Sequence, residues 1–139
     1  MNIHIDAKDV TRKLEKLSTE LARGLPEALG LAGEIVRKDA VMNCPKKTRT
    51  LARSIVSNVD GNSVTIGPTA NYGIFVEYGT GAKGDPKVPH TTREQWVYNS
   101  GGQFYTTSGQ KPQPFLVPAL KNNKSRIKKV IGQAVNFSD

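Results

Sequence analysis

Ser54-Ile55-Val56-Ser57-Asn58-Val59-Asp60-Gly61-Asn62-Ser63-Val64-Thr65-Ile66-Gly67 is the stretch that decides the fold class. Two short runs rich in isoleucine, valine and threonine flank Asp60-Gly61-Asn62, a turn composition, so the segment reads as a β-hairpin. Helical patterns stand upstream and downstream of it. The fold class expected is therefore α+β: a long N-terminal helix and a C-terminal helix packed on a small, mainly antiparallel sheet.

Upstream, Asn2 to Ile5 reads as a short strand and Asp6 as a helix N-cap, its carboxylate accepting an otherwise unpaired first-turn amide. Val10, Leu14, Leu17, Leu21, Leu25, Ala28, Leu29, Ala32, Ile35 and Val36 then recur at spacings near three and four, the stripe of an amphipathic helix. Pro26 interrupts it, because proline has no N–H for the carbonyl of Ala22 and its ring crowds that turn. Either one kinked helix or two helices with Pro26 in the first turn of the second satisfies this, and the unbroken phase of the stripe favours the kink. Cys44-Pro45 ends the helix, since a residue before proline is pushed out of the α region.

Downstream, Tyr72 to Tyr78 reads as a third strand. Gly79 to Thr92 carries three glycines, two prolines and few apolar residues, which predicts an exposed loop made basic by Lys83 and Lys87. A second hairpin is expected from Gln95-Trp96-Val97-Tyr98 and Gln103-Phe104-Tyr105-Thr106 around Asn99-Ser100-Gly101-Gly102, with Trp96 and Tyr98 on one face. The last element is a helix from about Pro118 to Val135, striped by Leu120, Ile127, Val130, Ile131 and Ala134.

The 139 residues fit a single domain, 1–139, with 79–110 as an exposed loop and hairpin insertion. One cysteine, Cys44, allows no intrachain disulfide and no two-cysteine metal site within a protomer, which suits a reducing compartment. In such a compartment the sequons at Asn123 and Asn136 stay idle. The N-terminal residues form neither a basic n-region nor an apolar h-region, and no apolar run approaches the roughly 20 residues of a membrane span. The charge of +8 and pI near 9.7 concentrate in two places. One is Arg37, Lys38, Lys46, Lys47, Arg49 and Arg53. The other is Lys111, Lys121, Lys124, Arg126, Lys128 and Lys129. Such runs read first as solvated faces and second as contacts for acidic partner subunits or passing DNA.

Signs of catalysis are scarce. Gly79-Thr80-Gly81-Ala82-Lys83-Gly84 spells a dinucleotide motif, yet Asp85-Pro86 and Val88-Pro89 forbid the helix whose amides would face a pyrophosphate. Nor is it a P-loop, because Lys83 precedes the last glycine and no Ser or Thr follows. Neither His4 nor His90 sits at a helical metal spacing with another ligand, and both read as surface residues. Ser54 and Cys44 lack a nucleophile's context. Glu77, among Phe75, Val76 and Tyr78, is the carboxylate expected to be partly buried, held by backbone amides or an arginine. Trp96, Tyr98, Phe104 and Tyr105 read as hairpin packing before they read as a nucleic-acid stacking platform.

Three motifs in order carry a family resemblance. They are Cys44, Pro45, Thr48, Leu51, Arg53, Ser54 and Ile55; then Tyr72, Val76, Glu77, Gly79 and Thr80; then Pro114, Phe115, Leu116, Pro118, Ala119 and Leu120. With this spacing the chain resembles the HK97 gp10-like proteins of tailed bacteriophages. Lys47 stands where that family usually has an acid, and Arg49 where it has glycine, so a turn built on glycine's positive φ must change shape or bear strain. The resemblance implies a structural subunit with no enzyme activity, cofactor or metal, and no membrane. It implies a neck, head-to-tail joining or tail-completion component, assembled as a homo-oligomeric ring between the head connector and the tail-terminator or tail-tube proteins. DNA would pass through the lumen without tight binding, and the protein would reside in the virion after assembly in the host cytoplasm. Pro45, Thr48, Leu51, Ser54, Tyr72, Glu77, Gly79, Thr80, Pro114, Phe115 and Pro118 would then be structural, and Lys83, Lys87, Trp96, Tyr98, Phe104 and Tyr105 candidate interface residues. The runner-up is a basic nucleic-acid-binding module using the C-terminal lysines and the hairpin aromatics.

Overall fold

A computed structural model describes residues 1–17, 19–47 and 49–135. In chain order they form β1 (Ile3–Asp6), α1 (Lys8–Leu17), α2 (Thr19–Asn43), α3 (Thr50–Arg53), β2 (Ile55–Asp60), β3 (Ser63–Pro68), α4 (Gly73–Tyr78), β4 (Trp96–Ser100), β5 (Gln103–Thr107), α5 (Leu116–Asn122) and α6 (Lys124–Val135). The fold class is α+β. The backbone divides into two compact units, Met1–Ala70 with Phe115–Asp139, and Asn71–Pro114.

The first unit contains an antiparallel sheet in the order β1-β3-β2. Its register sets Ile5 and Val59 opposite Val64, and Ile3 and Ser57 opposite Ile66, so these side chains share one face. The central pair, Val64 and Ile66, is fully buried. Leu25, Leu29, Ala32, Val36 and Ala40 form the buried stripe of α2, which packs on β2 and β3 as well as on α5 and α6. Phe115, Leu116, Ala119 and Ile127 close the core from the last two helices. Each large apolar side chain so buried contributes roughly 1.5–3 kcal/mol. Gly33 permits the helix to lie this close: a Cβ there would stand 2.2 Å from the Ser57 Oγ and 2.8 Å from the Val64 Cγ2.

Asp6 does cap the start of α1, its Oδ1 accepting from the Lys8 amide at 2.9 Å. Pro26 lies inside α2, exposed, and does not begin a second helix. Helix α2 ends at Asn43, immediately before Cys44-Pro45. The C-terminal helix is not continuous, because α5 and α6 meet at Asn123. That side chain is buried and donates from Nδ2 to the Ala119 carbonyl at 2.7 Å and to the Asp39 carboxylate, while its Oδ1 accepts from Arg126 at 3.2 Å. A polar group fixed from three directions breaks a helix that apolar periodicity would continue. Of the expected stripe only Ile127 is buried; Leu120, Val130, Ile131 and Ala134 are half-buried.

The second unit comprises α4, β4 and β5. Tyr72 to Tyr78 is not a strand but helix α4, opened by bonds from the Phe75 and Val76 amides to the Tyr72 carbonyl at 3.1 and 3.4 Å. Aromatic and β-branched side chains favour strands, yet glycines at 73 and 79 and the closing of a turn on Tyr72 decide otherwise. The third strand of the sheet is β1. Gly79 ends α4 at φ 75°, where a Cβ would stand 2.6 Å from the Gln110 carbonyl oxygen, so only glycine fits.

Candidate interaction surface

The loop that follows α4 is tied down rather than wholly exposed. The Thr80 amide donates to the Gln110 carbonyl at 2.9 Å and the Gln110 amide to the Thr80 carbonyl at 3.2 Å, which closes both ends of the segment. Within it the Asp85 amide donates to the Tyr78 carbonyl at 2.8 Å and the Ala82 amide to the Arg93 carbonyl at 3.1 Å. Gly79 and Gly81 are buried in consequence. His90, expected at the surface, is half-buried, with Nδ1 against the Val88 carbonyl and Nε2 against the Gly81 carbonyl. His4 is exposed, as expected.

From this base β4 and β5 rise as a two-stranded hairpin. Ser100 pairs with Gln103 across Gly101 and Gly102, whose φ values of 61° and 84° supply the left-handed turn that a tight hairpin needs. The register puts Trp96, Tyr98, Tyr105 and Thr107 on one face, and Tyr98 stacks on Tyr105 with ring centroids 5.6 Å apart. Phe104 and Val97 occupy the other face and are 74% and 60% exposed. A lone two-stranded hairpin is marginal in water, and one that presents apolar groups on both faces gains from a further surface.

Trp96 and Tyr98 wall a cleft of 630 Å³ together with Tyr72, Phe75, Thr80 and Gln110. Gly81 makes room for the indole, since a Cβ there would stand 2.8 Å from the Trp96 Cζ3. Of the candidate interface residues, Trp96 and Tyr98 thus share a cleft and Tyr105 joins them through its stack. Phe104 faces away, and Lys83 and Lys87 lie outside the lining. Sequence reasoning missed Phe75 because a strand from Tyr72 to Tyr78 would have set its side chain differently, and Gln110 because its bridge to Thr80 joins residues thirty apart in the chain. The aromatic rings and threonine hydroxyls of this cleft can stack on, or hydrogen-bond to, an extended segment. Among its described lining residues there is no carboxylate, imidazole or thiol.

The motif residues occupy varied environments. Leu51 is buried, and the Ser54 hydroxyl donates to the Leu51 carbonyl at 2.8 Å while the Ser54 carbonyl accepts from the Thr69 amide at 2.9 Å. Phe115 is fully buried, Pro45 and Pro118 are half-buried, and Pro114 is exposed. Thr48 lies outside the described residues. Glu77 is buried more deeply than expected, with 1% exposure, and among the described residues no buried side-chain polar atom is left without a hydrogen bond. Arg49 bears the strain that its place in the motif implied, sitting in the left-handed region at φ 60°, ψ −3°.

Arg37 and Glu34 form an ion pair on α2: Nε donates to both carboxylate oxygens, at 2.8 and 3.1 Å, and Nη2 donates to Oε2 at 2.9 Å. That hydrogen-bonded guanidinium holds the Glu34 carboxyl below its ordinary pKa and is itself held above its own. Among the described residues no group of three His, Cys, Asp or Glu side chains could hold a metal, and no helix is long and apolar enough to cross a membrane.

Residues 8–79, just over half of the chain, match the family described as "Bacteriophage HK97-gp10, putative tail-component". The chain belongs to this HK97-gp10-like family, and its role is that of a structural phage tail component. No curated protein and no solved structure matches it.

Proposed function

We propose that the protein is a neck, head-to-tail joining or tail-completion component that assembles as a ring between the head connector and the tail. The observation that carries this reading is the hairpin of the second unit, which offers Phe104 and Val97 on one face and the Trp96–Tyr98 cleft on the other, in a chain of a tail-component family. Isolated, such a hairpin is marginal; against neighbouring subunits it gains buried apolar area on both faces. Lys83, Lys87, Trp96, Tyr98, Phe104 and Tyr105 belong to that contact, in a protomer acting as one joining module. A repeated ring contact is heterologous, and it closes when the rotation between subunits allows. The protein acts by contact rather than catalysis, in the virion after assembly in the host cytoplasm, with DNA passing the lumen without tight binding.

Size-exclusion chromatography with light scattering, on the purified chain and on its mixtures with the connector and tail-terminator proteins, tests this. A closed oligomer or a stable co-complex is expected. A chain that stays monomeric and ignores both partners contradicts the reading.

A second reading, a nucleic-acid-binding module, is favoured by the exposed Lys121, Lys124, Lys128 and Lys129 of α5 and α6. It requires DNA binding that weakens steeply as salt rises, because bound counterions are released.

A further inference from the structure

The first unit has a cleft of its own, 420 Å³ in volume, beside the end of α2 and the short helix α3. Val41, Met42 and Ala52 give it an apolar side; Arg37, Lys46, Arg49 and Arg53 give it four cations. Arg37 is paired with an acid, Glu34. Lys46, Arg49 and Arg53 have no acidic partner among the described residues. Met42, 69% exposed, is a flexible and polarisable apolar group with nothing packed over most of it.

Arg49 sharpens the picture. It is the non-glycine residue held at positive φ among the described residues, at a turn where glycine sits without strain. The chain thus keeps a long cation on a backbone that disfavours any side chain, at the rim of a cleft whose other charged groups are also basic.

We infer that this cleft receives an acidic segment of a neighbouring virion protein, one that sets a carboxylate beside an apolar side chain. The guanidinium forks of Arg49 and Arg53 match a carboxylate through paired hydrogen bonds. The Val41–Met42–Ala52 side then covers the adjoining apolar group. A DNA backbone would satisfy the cations equally, but its sugars and phosphates would leave the apolar side unused. This inference rests on the reading of the chain as a joining component, and it adds a second contact chemically unlike the aromatic hairpin.

Binding is read on the purified full chain, so its failure is separable from any failure to join heads to tails. The probe is a fluorescein-labelled short peptide alternating glutamate and leucine. Controls are the same peptide with glutamine for glutamate, and a short DNA duplex. Fluorescence anisotropy should show saturable binding of the glutamate peptide, none of the glutamine peptide, and weaker binding of the duplex. Arg49→Gly removes a cation and relaxes the backbone, so it retains the fold, checked by thermal melting; it should weaken peptide binding roughly tenfold. Arg53→Gln should weaken it too, whereas Glu34→Gln frees Arg37 and should tighten it. Absence of peptide binding, equal binding of the glutamine peptide, or indifference to Arg49→Gly overturns the proposal. So does a duplex that binds more tightly than the peptide and is lost with the same substitutions, which would make the cleft a phosphate site.

Discussion

Arg49 shows how one residue can carry both a cost and a use. A side chain in the left-handed region costs about 1–2 kcal/mol relative to a residue at ease there. Arg49→Gly should therefore raise stability by about 1 kcal/mol, less the chain entropy that glycine adds to the unfolded state, seen as a higher denaturant midpoint with unchanged slope. A lower midpoint would mean that the side chain stabilises the turn by more than its backbone costs. Glu34 makes a pH-dependent contribution of calculable sign. Its carboxyl is lowered in the folded chain, first by the hydrogen bond from Arg37, so the contribution is present above the unfolded pKa and is lost as pH falls through the lowered folded value. The side chain is 46% exposed, which keeps the effect small. Following the Glu34 carboxyl by NMR should give a titration midpoint below the ordinary glutamate value, returning toward it in Arg37→Gln.

At the scale of elements, the sequence and the folded chain agree wherever a local rule acts alone. The Asp60-Gly61-Asn62 hairpin, the Asp6 cap, the stop at Cys44-Pro45 and the Gly101-Gly102 turn all follow from side-chain patterning or backbone restriction within a few residues. Agreement fails where distant groups compete with propensity. Tyr72 to Tyr78 has strand-like side chains but is held as a helix, and apolar spacing at the C-terminal end runs through a break fixed by Asp39, far away in sequence. The aromatic hairpin was legible in sequence; its cleft was not, because the cleft depends on that misread helix. Asn123 tests the account of the break. Asn123→Ala should cost about 1–3 kcal/mol, since it leaves the half-buried Asp39 and the Ala119 carbonyl without their donor. Asn123→Asp should cost more, because it sets a second carboxylate against Asp39. Chemical denaturation of both variants checks this, and equal, near-zero costs would show that the break is set by something other than this side chain.

At the scale of the whole molecule, the buried apolar stripe of α2, the three-stranded sheet and the last two helices lie in the first unit, and the exposed aromatic hairpin lies in the second. If the hairpin makes the contacts proposed for it, removing it should abolish joining while leaving a folded first unit. The Thr80–Gln110 bridge marks where to cut: replacing Gly81 to Gly109 with a short glycine–serine linker keeps both bridge residues. The most direct test is electron microscopy of particles from cells in which this shortened chain, shown by circular dichroism to melt cooperatively, replaces the intact one. DNA-filled heads and free tails should accumulate side by side. Tailed particles in normal number would contradict the claim that this segment makes the contacts of the joint.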